Sequence, residues 1–254
     1  MTAKLKVGYQ IHPQHCTLAD IRRAYRAADA LGVDSIWTWD HMFPLYGDPE
    51  GAHFECTSVL AAMAVETSHA QLGALVASTT YRNPELYAYT IATIDQLSGG
   101  RAILGIGAGW NRRDHDEYGI EFGDAPYRLR ELGKALPRIK ERLGKLKPPP
   151  VGSVPIMIGG GGEKVTLRLV AQHADMWNYF TPASEWARKS RLLDEWCERV
   201  GRPPGEVERT CMVAPDAFRE VDGLVEAGCT HLILEGKAPF SMAPLEELLR
   251  LAGH

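Results

Sequence analysis

The stretch Ser98-Gly99-Gly100-Arg101-Ala102-Ile103-Leu104-Gly105-Ile106-Gly107-Ala108-Gly109-Trp110 joins a helix end, a buried strand and a bare length of backbone in one short run. Gly99 and Gly100 suit the left-handed conformation that closes a helix, because they carry no Cβ to clash there. Residues 102–106 form a short apolar run of the kind covered on both faces in a parallel sheet. Gly107 and Gly109 remove side chains where that strand ends, so a flat ligand has room to lie against the backbone. A strand that delivers glycines at its C-terminal end reads as a ligand floor.

Working outward, the same unit repeats along the chain. Residues 5–11 read as a first strand, and Thr17 caps a helix whose apolar positions Leu18, Ile21, Tyr25, Ala28 and Leu31 keep helical spacing. Residues 33–38 make a second strand, 56–67 a helix and 72–78 a third strand. Asn83-Pro84-Glu85 opens the next helix with a cap, a proline in the first turn and an acid near the positive helix end. After the central stretch, a polar loop over 111–126 precedes a helix over about 127–146, in which Pro137 predicts a kink or a break. Further strands at 154–158, 176–180, 207–213 and 231–234 alternate with helices at 163–173, around 186–200, 218–226 and 245–251.

Eight strands alternating with helices predict a single-domain (βα)8 TIM barrel over residues 1–254; a doubly wound sheet uses the same alternation with fewer strands. The 254 residues, 45% apolar and 24% charged, suit one such barrel. A net charge of −4 gives no general attraction to nucleic acid or to anionic membrane. The longest wholly apolar run, 59–65, is far short of a membrane span. Gln10, His12 and Gln14 follow closely on Lys4 and Lys6, which argues against a secretory signal. Five cysteines without a C-x-x-C pair favour reduced thiols in a cytoplasmic protein.

In such barrels chemistry sits at the C-terminal strand ends. Here those ends are 10–12, Asp40-His41, 78–82, 107–110, 159–162, 178–181, 214–216 and Glu235-Gly236. Asp40-His41 is the strongest acid–base candidate, since an imidazole transfers protons near neutral pH and an adjacent carboxylate biases its charge or orientation. The competing reading is a histidine that caps the loop or bonds backbone. Gly159, Gly160, Gly161 and Gly162 ahead of Glu163-Lys164-Val165-Thr166 suit an anion, most naturally phosphate, at a helix start; the alternative is a plain tight turn. The run lacks both the G-K-[ST] of a P-loop and the G-x-G-x-x-G fingerprint. His12, His15, Cys16, His41 and His53 show no metal-ligand spacing, so no metal is expected. Trp39 and Trp110 read equally as packing or as walls for a planar ring, and Cys56 as a buried helix cysteine.

Trp39-Asp40-His41, Tyr81-Arg82-Asn83-Pro84, Asp95-Gln96-Leu97-Ser98-Gly99-Gly100-Arg101 and Gly105-Ile106-Gly107-Ala108-Gly109-Trp110 together resemble the luciferase-like monooxygenase superfamily. Pro155-Ile156-Met157-Ile158 and the four glycines, then Thr166-Leu167-Arg168 and Ala174-Asp175, continue the pattern, so the resemblance spans roughly residues 5–180. With Arg113-Asp114-His115 and Tyr118-Gly119-Ile120 it is most similar to the branch that uses the deazaflavin coenzyme F420 rather than FMN. The resemblance implies the (βα)8 barrel and places Asp40 and His41 against the ring or the substrate, with His41 giving or taking a proton. It implies that Ala74, Leu75, Val76 and Ser78 lie against the ring, around a bulge with a non-proline cis peptide. Gly107, Ala108 and Gly109 would line the cofactor channel, and Gly160 and Gly161 would bind its phosphate.

Relatives of this kind carry a longer insertion before the fifth strand, where this chain has only 145–153, and the C-terminal third is short. A reduced substrate lid and an open pocket follow. In sugar-phosphate-oxidising members a glutamate follows the glycine-rich strand; Trp110 stands there here, which speaks against glucose-6-phosphate chemistry. Relatives often form dimers, so a homodimer is one expectation. The activity expected is hydride transfer between the deazaflavin C5 and a small organic substrate. The alternatives are an FMN-dependent monooxygenase, a non-catalytic flavin- or F420-binding protein, and a phosphosugar barrel enzyme without a redox cofactor.

Overall fold

Apolar runs bounded by turn residues become parallel strands, and the amphipathic segments between them cover the sheet from outside. The computed structural model describes residues 5–254. Its first half holds β1 (Lys6–Ile11), α1 (Leu18–Ala30), β2 (Ser35–Thr38), α2 (Cys56–Glu66), β3 (Gln71–Ala74), β4 (Ala77–Ser78), α3 (Pro84–Ser98), β5 (Ala102–Gly107), α4 (Arg112–Glu117) and α5 (Ala125–Lys145). Its second half holds β6 (Ile156–Gly159), α6 (Thr166–His173), β7 (Met176–Asn178), α7 (Ala183–Arg199), β8 (Glu208–Val213), α8 (Val221–Glu226), β9 (His231–Gly236) and α9 (Ala243–Leu251). All pairings are parallel, in the order β3-β2-β1-β9-β8-β7-β6-β5-β4, and β3 also pairs with β5. β3 and β4 are two halves of one stave, so the sheet closes as an eight-stranded (βα)8 barrel.

Period-two alternation along the strands makes two apolar clusters. Val7, Tyr9, Ile36, Leu104 and Ile158 join the large cluster shared with the helices, while Trp37, Leu75, Ile103, Met157, Met176 and Ile233 form a separate small one. The fully buried Trp37 takes the room that two glycines leave. A Cβ on Gly73 would stand 2.6 Å from its ring, and one on Gly8 3.0 Å from its Nε1. At the N-terminal end of the barrel, Trp37 Nε1–H donates to Ser35 Oγ (2.6 Å), and Ser35 Oγ bonds His231 Nε2 (2.8 Å). His231 Nδ1 meets Glu208 (2.7 Å), which also accepts from Lys6 Nζ (2.7 Å), so each buried polar group there is satisfied.

The opening stretch does structural work before it reaches the site. Gly99 and Gly100 end α3 with φ of +71° and +96°. The fully buried Asp95 carboxylate accepts the N–H groups of Ala102, Val151 and Gly152 at 3.2, 2.7 and 2.8 Å, fastening the strand start to the proline-rich connection. Arg101 donates to the carbonyls of Ala64, Thr67 and Ala70, where α2 ends with carbonyls lacking helical partners.

Five segments differ from the sequence expectation. The third strand is not one run over 72–78: the chain leaves the ladder after Ala74, passes a Leu75–Val76 cis peptide and rejoins β5 at Ala77 opposite Ile106. The polar loop at 111–126 contains α4, a charged helix capped by Asn111 that has no apolar periodicity to signal it. Pro137 does not break α5; the carbonyl it leaves unbonded, one turn back, belongs to Gly133, which has no side chain to crowd it. α6 begins at Thr166 rather than 163, and the helix expected at 218–226 is a 3-10 turn (Pro215–Glu220) followed by α8. All five cysteines are free, and no helix among the described residues is long and apolar enough to cross a membrane.

Candidate active site

A cavity of about 600 Å³ opens at the C-terminal ends of the strands, within the size range of cofactor and substrate pockets. Each strand end expected to meet there contributes to its lining except 214–216, whose place is taken by Met212 of β8. Leu75, Val76, Ser78, Gly107, Ala108, Gly109, Asp40 and His41 all line it; Ala74 does not.

The glycines of β5 and β6 serve a purpose beyond the bare floor that their sequence suggests. The 75–76 bulge leans across them, so their missing side chains are the space that the bulge occupies. A Cβ on Gly105 would fall 1.8 Å from the Ala74 carbonyl oxygen. One on Gly107 would fall 2.9 Å from Val76 Cγ2, and one on Gly159 2.8 Å from the same atom. Ser78 Oγ fills the space beside Gly109, whose φ is +77°. The floor is thus built by the third stave and made possible by the fifth and sixth strands.

Asp40 and His41 lie together at the cavity but do not pair with each other. Asp40 is held by Arg82, whose Nη1 and Nη2 donate to its two oxygens at 2.6 and 2.8 Å, and it accepts the Ser78 N–H at 3.2 Å. A bidentate charge-assisted contact of this kind fixes orientation as well as charge. It makes Asp40 a brace between β2 and the bulge. The carboxylate that orients His41 is Asp114 of α4. His41 Nδ1–H donates to Asp114 Oδ2 at 2.7 Å, Tyr81 O–H donates to the same oxygen at 2.5 Å, and Met42 N–H donates to Oδ1 at 3.1 Å. Asp114 is fully buried, and burial alone raises a carboxyl pKa; the bonds from His41 and Tyr81 outweigh it and hold Asp114 below its ordinary value. With Nδ1 committed, His41 Nε2 makes no hydrogen bond among the described residues, and the side chain, 12% exposed, lines the cavity. Trp110 packs edge-on against the imidazole, ring centroids 5.4 Å apart.

His12 stacks on the Trp39 indole, with ring centroids 4.0 Å apart. Burial, with Lys237 and His41 nearby, pushes its pKa down to about 3, so it is neutral. The Gln10 carbonyl oxygen can only accept, so His12 Nε2 carries the proton it shares with Gln10 (3.2 Å), and Nδ1 accepts from Tyr46 O–H (2.9 Å). Gln10 Nε2–H in turn donates to the Leu75 carbonyl at 3.0 Å, tying this chain of bonds to the bulge. Tyr46 and Asp114 were not singled out as site residues; both lie in the loops after β2 and β5, where no periodicity marks which residue turns inward.

Of the four-glycine run, Gly159 and Gly160 line the cavity, whereas Gly161 and Gly162 do not. The Tyr179 ring takes the space beside Gly161, and Thr166 Oγ1 that beside Gly162. Gly160 N–H already donates to the Asn178 carbonyl at 2.9 Å, so it is not a donor for a phosphate. The N–H groups of Gly161 and Gly162 have no protein acceptor among the described residues, and α6 starts beside them without a side-chain cap.

A closed (βα)8 barrel with a strand-end cavity that holds an imidazole oriented by a buried carboxylate is the architecture of a barrel enzyme. The family model described as luciferase-like monooxygenase matches residues 2–217. The chain belongs to the luciferase-like monooxygenase family, and by that membership it is an oxidoreductase. It is 30% identical over 271 aligned residues to the F420-dependent glucose-6-phosphate dehydrogenase of Amycolatopsis mediterranei (strain U-32), covering 98% of this chain and 80% of that protein. It is 32% identical over 166 residues to the 5,10-methylenetetrahydromethanopterin reductase of Archaeoglobus fulgidus (strain ATCC 49558 / DSM 4304 / JCM 9628 / NBRC 100126 / VC-16), covering 59% of this chain and 46% of that protein. Its fold matches that of an F420-dependent secondary alcohol dehydrogenase solved with an F420–acetone adduct, with a TM-score of 0.86 and 17% identity over 98% of this chain and 99% of that one.

Proposed function

We propose that this chain is an F420-dependent oxidoreductase that moves a hydride between the deazaflavin C5 and a small organic substrate. The observation that carries the reading is His41, with Nδ1 bound to Asp114 and Nε2 turned to a cavity floored by backbone and the Val76 side chain. The residues present fit the coenzyme. Leu75, Val76 and Gly107 to Gly109 offer a floor free of polar side chains, and Trp39 and Trp110 offer flat walls. Just outside the cavity lining, the N–H groups of Gly161 and Gly162, without a protein acceptor among the described residues, and the uncapped start of α6 offer donors for a phosphate. The names of the Amycolatopsis relative and of the secondary alcohol dehydrogenase support F420 over FMN. When bound, F420 supplies a two-electron hydride carrier.

The chain's own groups supply the rest. Asp114 accepts from Nδ1–H and so fixes the tautomer in which Nε2 is the proton-transferring atom. Protonated, Nε2 donates to a developing alkoxide; neutral, it accepts the proton of an alcohol. Arg82 and Asp40 hold the bulge in register with β2, and the Tyr46–His12–Gln10 chain fixes the Leu75 carbonyl. The test is a parallel absorbance and fluorescence titration with F420 and FMN. Saturable F420 binding with FMN weaker is the expected result. Tight FMN binding, no response to F420 and oxygen consumption with reduced FMN would make the chain a monooxygenase instead.

We also propose a homodimer through the paired outer faces of α2 and α3. Val65, Leu86, Tyr89 and Leu97 are 61%, 57%, 54% and 48% exposed on these neighbouring helices, large apolar side chains that a second copy of the chain would cover. Light scattering should show a dimer that Tyr89→Lys with Leu97→Glu converts to monomer. A wild-type chain that stays monomeric at micromolar concentration would dismiss this face.

A further inference from the structure

The lining of the cavity contains no lysine or arginine among the described residues, and the cations near it are already committed. Arg82 spends its guanidinium on Asp40. Arg128 donates to the carbonyls of Gly109, Phe122 and Gly123. Lys237 stands at the rim, 2.9 Å from Glu235. Glu235 itself lines the cavity, its side chain 14% exposed and 3.8 Å from His12 Nε2; the neutral His12 adds no countercharge, so that carboxylate holds Lys237 for itself.

A phosphate or carboxylate entering here would lose hydration and would have to compete with Glu235 for Lys237, with no uncommitted cation to replace the water. An apolar body has more to gain. Trp110, Phe180 and Tyr46 ring the mouth at 65%, 55% and 40% exposure, large surfaces that a ligand would cover. The glycine turn offering donors to an anionic tail follows β6, three strands round the barrel from β9, so it stands apart from the side of the cavity that Glu235 lines.

We propose that the substrate is an uncharged carbonyl compound, or the alcohol it interconverts with, carrying an apolar body against the aromatic mouth, and not a phosphorylated or carboxylated one. The reaction rests on the F420 reading above; the charge preference does not. It separates this chain from its Amycolatopsis relative, whose name specifies a sugar phosphate.

Matched pairs test it: 2-pentanone against levulinate, and glucose against glucose 6-phosphate. Two readouts are taken, kcat/KM with the F420-loaded protein and quenching of tryptophan fluorescence with and without F420. The neutral member should be favoured by about tenfold or more within a pair. Glu235→Gln should narrow the gap and Glu235→Arg should close or invert it. An anionic member equal to or better than its neutral partner on the wild-type protein overturns the substrate class and leaves the cofactor reading standing. A protein that ignores F420 overturns that reading instead, and the fluorescence titration still decides the charge preference.

Discussion

Replacing His41 by alanine should lower kcat by about 10²–10⁴-fold while leaving the Kd of the cofactor within a few-fold. The expectation follows from geometry. His41 Nε2 is a proton-transferring atom without a protein partner at the cavity, while most of the floor is backbone that the substitution does not touch. Asp114→Asn should lower kcat in the same direction by at least about tenfold, because an amide in place of the carboxylate no longer stabilises the charged imidazole and can present a donor to Nδ1. Asp40→Asn should behave differently, loosening the bulge and weakening cofactor binding, since Asp40 grips Arg82 and Ser78 rather than the imidazole. Steady-state kinetics and cofactor titration on the three variants separate the roles. Full turnover in His41→Ala would remove the proton-transfer role, and a Kd that rises in step with the lost rate would reduce His41 to a packing residue.

Gly105→Ala should be the most damaging single-methyl change in the barrel. The new Cβ would lie 1.8 Å from the Ala74 carbonyl oxygen, and that obstacle is backbone, which cannot rotate away. Overpacking of a core ordinarily costs about 1–3 kcal/mol, occasionally more; a main-chain obstacle at this distance belongs at the upper end. A fall in Tm of about 2–4 °C per kcal/mol is the measurable form for a chain of this size. The bulge should move with it, so cofactor binding should weaken as well. Gly144→Ala on α5 is the control: nothing lies within 4 Å of its Cβ position, and replacing a helical glycine should stabilise by about 0.4–1 kcal/mol. A Gly105→Ala protein with unchanged Tm and unchanged affinity would show that Ala74 is not seated against β5.

The barrel was legible because its parts obey short-range rules. Strands such as 102–106 and 231–234 are apolar runs between turn residues, and helices such as 84–98 carry a cap, a first-turn proline and a terminal glycine. The ends of those strands locate the cavity almost by themselves. What stayed hidden depends on contacts between distant residues. The bulge with its Leu75–Val76 cis peptide is what the family resemblance implies, but no pattern of residues near Ala74 announces that the strand will leave its ladder, since the permission lies on Gly105, Gly107 and Gly159. The partner of His41 lies 73 residues away on a short charged helix that has no apolar face to betray it. Adjacency in sequence made Asp40 the obvious carboxylate, yet a neighbour on an extended chain points to the other side, and Asp40 accordingly faces Arg82.

The molecule contains a second imidazole–carboxylate pair whose spacing is that of a hydrolase: Ser35 Oγ stands 2.8 Å from His231 Nε2, and His231 Nδ1 stands 2.7 Å from Glu208. Both Ser35 and His231 have no exposed surface, and Trp37 plugs the barrel above them. A geometric template for nucleophilic triads would flag this end of the barrel as readily as the other. Seclusion makes the difference: a hydroxyl that no ester can approach is a rivet, and the same imidazole chemistry becomes a tool where the chain leaves it a doorway.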